Sequence, residues 1–301
     1  MTRFIPVNYL NKQYPLNIRC NIKEIAGHFG KSSIEINGEY SLHTEYSYNG
    51  KQGISQLAKG FPVIGSSEKS GIPQLWKSCD WAKEFACFIQ ALTVDKIAPK
   101  VIEVHPPFND YCHTINDFLE RYTVFEDLIS KALPNTEIAI ENRCGSVYSG
   151  GSFLISEMSS IIELLKNISS NQLKLKLVID YPQLLTAEGC ITSACFNVER
   201  FNAFMQKHSC LQPYKHLILG IHIWGKRKSS SGRVVPHVGD LNNLFCELSK
   251  QKNDFLELIA EFYNDDIPRY FVPEVNSKKE DLESIVMDFI DVGAVFDQQN
   301  M

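Results

Sequence analysis

Seven residues of metal-ligand type fall at the ends of short apolar runs: His43 and Glu45 in YSLHTEY, His105 in KVIEVH, Glu141 in EIAIEN, Asp180 in LKLVIDY, His222 in HLILGIHIW and Glu274 in RYFVPEV. Alone, a strand-end histidine is usually a hydrogen-bonded structural residue, and a strand-end carboxylate usually caps the next helix. Six runs ending this way carry more. If Glu141, Asp180, His222 and Glu274 meet in one polar pocket, three carboxylates lie together and cannot all stay ionised without a cation. A divalent ion supplies that charge and accepts mixed oxygen and nitrogen ligands. The pattern predicts a site for one or two divalent ions, zinc or manganese.

These residues need elements to position them. The expected strands are 16–20, 33–36, 40–46, 100–105, 137–142, 175–181, 216–224 and 269–275. VIEV, IAIE, LVID and LILGI are apolar nearly throughout, as parallel strands covered on both faces should be. Between them, apolar residues at three- and four-residue spacing predict helices over 81–92, 114–133, 153–168, 198–208, 244–263 and 279–292. Repeated strand–helix alternation implies parallel βαβ units. Eight strands favour an α/β fold of the (β/α)8 TIM-barrel type, a single domain over residues 1–301, with an open doubly wound sheet as the alternative. In a barrel the strand ends converge on one mouth, where active sites of this fold lie.

Composition narrows the class. A formal net charge of −5 excludes a strongly basic protein that coats nucleic acid non-specifically, though not a local basic patch. The nine cysteines are an odd number without a CxxC pair, and the opening run MTRFIPVNYLNKQYP lacks the apolar stretch of a secretion signal. The thiols are therefore read as reduced, in a cytoplasmic protein. No segment approaches the roughly 18 apolar residues of a membrane span.

Taken in order, these motifs resemble the xylose-isomerase-like TIM barrels, and within them endonuclease IV, the family-2 apurinic endonucleases. His43 is similar to the family's third-strand histidine, His105 in VIEVHPP to its His-Pro strand end, and Glu141 to the bridging glutamate of its Ile-Glu-Asn pattern. Asp180, His222 and Glu274 resemble the acidic and imidazole ligands of its last three strands. His222 and His237 stand fifteen positions apart, with Arg233-Val234 ahead of His237 as in the family. The resemblance implies one site from His43, His105 and Glu141 and another from Glu141, Asp180, His222 and Glu274, with Glu141 bridging. Family members carry a third zinc, whose remaining ligands fall here at Gln183, Val235 and His237. An amide and an alkyl group cannot replace two ligands, so the third site is expected to be lost. The family's glycine after His-Pro is also absent, since Pro107 and Phe108 follow Pro106.

Two chemistries stay open. Two ions would activate a bridging water and stabilise both oxygens of a phosphodiester displacement, as on DNA carrying an abasic site. Lys226, Arg227, Lys228 and Arg233 in GKRKSSSGR, with Trp224 and Gln183, would then contact substrate; Tyr46, Tyr148 and Phe108 are further aromatic candidates. Alternatively one ion on Glu141, Asp180, His222 and Glu274 would polarise the carbonyl of a sugar or sugar phosphate while Glu141 and Glu274 exchange a proton. His43 and His105 discriminate, because only the bridged hydrolase needs them. A metal-binding protein without turnover and a multi-iron oxidase are minor readings. His28, His113, His208 and His216 receive no role, and the oligomeric state is unassigned.

Overall fold

Parallel strands alternating with helices make this chain a (β/α)8 barrel. The computed structural model describes residues 1–45, 60–69, 71–148, 151–192, 195–229 and 231–297. The barrel strands are β1 (Arg3–Asn8), β2 (Ile22–Gly27), β3 (Glu39–Thr44), β4 (Val101–Val104), β5 (Glu137–Glu141), β6 (Lys176–Asp180), β7 (Ile218–Ile223) and β8 (Arg269–Pro273). The principal helices are α1 (Cys79–Thr93), α2 (Ile115–Ala132), α3 (Met158–Asn171), α4 (Tyr181–Ala187), α5 (Val198–His208), α6 (Ser249–Phe262) and α7 (Lys279–Asp291). The chain divides into two compact units, Ile25–Leu177 and Met1–Glu24 with Val178–Met301.

In the unit Ile25–Leu177, β3 pairs with β4 and β4 with β5, all parallel. The register sets His43 beside Glu103. Helix α1 starts where Ser78 accepts from the Trp81 amide, and α2 where Thr114 and Asp117 form a reciprocal capping box. Their inward faces bury Trp81, Phe85, Phe118, Tyr122 and Phe125 around Trp76. Burying each such ring contributes about 1.5–3 kcal/mol, so truncating Phe85 or Phe125 would cost most.

In the other unit, β8 pairs with β1 and with β7, and β1 with β2. Gly220 allows the tight approach of β7 to β8: a Cβ there would stand 2.9 Å from the Tyr270 carbonyl oxygen. Phe4, Phe271, Phe289 and Phe296 close one end with tilted and edge-on rings. Buried Arg269 forks onto both Asp265 oxygens and donates to the Ile218 carbonyl.

Two expected strands are corrected. Residues 16–20 form no strand, because Leu16 and Asn17 take left-handed backbone angles (φ 53° and 55°). Residues 33–36 are irregular. Strands β1 and β2 fill these places: RFIPVN was masked by its proline, and IKEIAG by the charged pair Lys23-Glu24. The expected strand 40–46 ends earlier, and Tyr46 lies outside the described residues. Expected helix 244–263 breaks where Cys246 and Glu247 adopt φ 52° and 62°, leaving a short turn at Leu241–Leu244 before α6. Helix α4 was unforeseen; Pro182 occupies its first turn, where a missing N–H costs nothing, and Asp180 caps it.

Candidate metal centre

Three adjacent strands of the unit Ile25–Leu177 deliver a buried cluster of His43, Glu103, His105 and Glu141, whose ligand atoms all lie within 4.8 Å of one another. His43 Nδ1 stands 3.4 Å from Glu103 Oε1, and its Nε2 3.7 Å from Glu141 Oε2. His105 Nε2 meets the same Glu141 oxygen at 2.9 Å. Ligand atoms around a tetrahedral zinc with bonds of about 2.0–2.1 Å sit roughly 3.3 Å apart, so these spacings already approach a coordination shell. Burial pulls the His105 imidazolium down to about 3, against the opposing hydrogen bond and charge of Glu141, so its ring is neutral and fit to be a ligand.

The cluster is held from behind. Trp76 Nε1 donates to the His105 carbonyl at 2.7 Å, and Arg121 in turn donates to the Trp76 carbonyl. Trp76 is itself fully buried with φ 61°, an uncommon conformation for a bulky residue. Arg143 Nη1 reaches Glu141 Oε1 at 3.2 Å, and its guanidinium lies 5.7 Å from the Phe153 ring centre. Two buried carboxylates beside two imidazoles and one guanidinium leave negative charge for a cation to balance. The donor set fits a divalent ion, and imidazole favours zinc.

The second ligand group lies in the other unit. His222 Nδ1 is 3.4 Å from Glu274 Oε1, and His237 Nδ1 is 3.4 Å from Glu274 Oε2 and 3.1 Å from the Glu274 carbonyl oxygen. Both His222 and Glu274 are buried. Asp180 is buried as well: Oδ2 accepts from Trp224 Nε1 at 2.9 Å and from Gln183 Nε2 at 2.6 Å, while Oδ1 accepts the Gln183 amide at 2.9 Å. His237 stacks on the Trp224 ring with centres 4.2 Å apart. Val235 lies in the hairpin Lys226–Lys228/Val234–Pro236, opposite Arg227. The amide of Gln183 and the alkyl group of Val235 do not fit a third ion.

The loop cations have partners of their own. Arg227 binds Asp281 at 3.0 Å and Asn243 at 2.9 Å, which fastens the hairpin to α7. Lys226 donates to Thr186 Oγ1 and lies 5.6 Å from the Trp224 ring centre. Arg233 is exposed. His113 is exposed with Nδ1 at 3.0 Å from the Asn109 carbonyl oxygen, His28 stands 3.6 Å from Glu45, and His208 is buried against Tyr181. Phe108 is buried and stacked on Phe153.

Sequence reasoning missed Glu103, Arg143 and Trp76. Glu103 had a signal, since it lies in β4 two residues before His105, which directly follows the strand's end, and period two puts both on one face. Arg143, two residues past Glu141, follows the same spacing.

No family model matches the chain, and no curated protein matches it. Solved structures do. The structure of AsfvAP:AG is 12% identical with a TM-score of 0.51, over 91% of this chain and 86% of that one. The IolI protein with a binding zinc atom is 12% identical with a TM-score of 0.39, over 84% of this chain and 76% of that one. The likeness is one of fold. Among the described residues no helix is long and apolar enough to cross a membrane.

Proposed function

We propose that the chain is a divalent-metal-dependent hydrolase of phosphodiesters, with DNA carrying an abasic site as its substrate. The observation that carries the reading is the buried cluster of His43, Glu103, His105 and Glu141. A one-metal isomerase built on strands five to eight has no use for His43 and His105. The AsfvAP likeness adds an analogy of fold only.

His43, His105, Glu103 and Glu141 would hold one ion, and Asp180, His222 and Glu274 would anchor a second. Zinc there would supply Lewis acidity and an acidified water. His105 serves as a neutral ligand, aimed by Trp76 through its carbonyl. Arg143 fixes the outer oxygen of Glu141 and leaves the other facing His43 and His105. Arg233 and Lys226 would contact backbone phosphates, while Arg227 supports the hairpin from its ion pair with Asp281.

The test is elemental analysis of the zinc-reconstituted protein, followed by incubation with a duplex containing one abasic site. One or two ions per chain and a nicked strand are expected. Glu141→Gln should lower occupancy of the ion held with His43 and His105. A protein that takes up no metal defeats the reading, as does an intact duplex alongside turnover of a ketose panel, which would favour the isomerase.

A further inference from the structure

A cavity of about 510 Å³ opens in the unit containing β7 and β8, within the roughly 300–1,000 Å³ usual for small-molecule sites. None of its lining residues belongs to either metal-ligand group. One wall is the hairpin strand Lys226–Lys228, and the facing wall holds Ile191 and Phe196, joined by a bridge. Leu244, Cys246 and Leu248 continue the lining. Cys246 and Glu247 reach it through two successive left-handed residues, a conformation costing about 1 kcal/mol or more each. Thiols of Cys195 and Cys246 both belong to the lining.

The charges on this wall are uneven. Arg227 is matched by Asp281, and Lys226 has Thr186 as a partner. Among the described residues the Lys228 ammonium makes no hydrogen bond or ion pair. Among the described residues the one lining carboxylate, Glu247, accepts from Asn243 at 3.2 Å. Lys226 and Lys228 therefore outweigh Glu247, and the lining is otherwise largely apolar. We infer that this cavity binds a small organic anion with an apolar body, the carboxylate or phosphate monoester pairing with Lys228 and the body lying against Phe196, Leu244 and Leu248. The site shares Lys226 with the substrate contacts proposed above but none of the metal-ligand residues, and Lys228 and the apolar lining carry it.

The experiment uses the full chain stripped of metal, so that no anion is retained by a bound ion. 1-Naphthyl phosphate and 1-naphthoate are titrated calorimetrically, with 1-naphthalenemethanol as the neutral control. At least one anion should bind at one per chain, and their ranking tells a phosphate ligand from a carboxylate one. Saturating probe should slow N-ethylmaleimide labelling of Cys195 and Cys246, read by peptide mapping, and leave exposed Cys87 unaffected. Lys228→Glu, an exposed position, should weaken binding about tenfold or more, and Cys195→Trp should abolish it by filling the space. Equal affinity for the alcohol and both anions, unslowed labelling of the two thiols, or indifference to Lys228→Glu would each overturn the inference.

Discussion

His208 makes the stability of this protein fall in mild acid, by an amount that follows from its surroundings. The ring is buried between Phe204, Phe262 and Tyr181, at 4.5 Å from the Phe262 centre, and its Nε2 meets the Tyr181 hydroxyl at 2.9 Å. Tyr181 passes on to the Tyr263 hydroxyl at 3.1 Å, and Lys215 lies over the Phe262 ring. Among the described residues no carboxylate pairs with this ring, and burial draws the pKa down from 6.5 to about 4. The unfolded chain takes up this proton as pH drops through about 6.5, while the folded chain refuses it until about 4. Stability is thus fully present at neutral pH and lost across that window. At 1.36 kcal/mol per unit the whole effect is about 3 kcal/mol, of which about 2 kcal/mol is lost between roughly pH 7 and pH 5. His208→Phe keeps an aromatic ring in an aromatic pocket and removes the titration. Urea unfolding of both proteins across this range should show the wild type losing about 2 kcal/mol relative to the variant, other groups cancelling in the difference. Two parallel stability curves would refute the reasoning.

Trp76→Phe removes the donor to the His105 carbonyl with little loss of ring packing, and should weaken zinc binding about 10- to 100-fold in a chelator competition; unchanged affinity would show that Trp76 only fills space. Gln183→His with Val235→Asp restores both ligand types absent from the expected third site and should raise zinc content by about one ion per chain. Gln183→His alone should not, because Val235 still offers no oxygen ligand; elemental analysis of the two variants separates these outcomes. Arg269→Ala removes a buried guanidinium that forks onto Asp265, which keeps Lys215 as a partner at 3.1 Å, and should cost about 1.5–3 kcal/mol in unfolding free energy, a value that a denaturant titration reads directly.

What the sequence made legible divides along a physical line. Strands β4 to β8 are runs buried on both faces, so their apolar signal survived and their terminal ligands could be named; β1 and β2 carry a proline and a charged pair and vanished from a pattern that counts apolar residues. Ligands within one strand follow period two, which is why Glu103 was available from His105 but went unread. Partnerships between distant segments leave no such trace. Asp180 is matched by Gln183, three residues on, and by Trp224, forty-four residues on, and nothing in LVIDY says that Oδ2 already accepts two side-chain N–H groups. A strand-end aspartate gripped by an indole N–H and an amide is a different chemical object from one open to a cation. Substitutions at Gln183 and Trp224 therefore bear on ion count as directly as substitutions at the ligands themselves, because they decide which lone pairs a metal can reach.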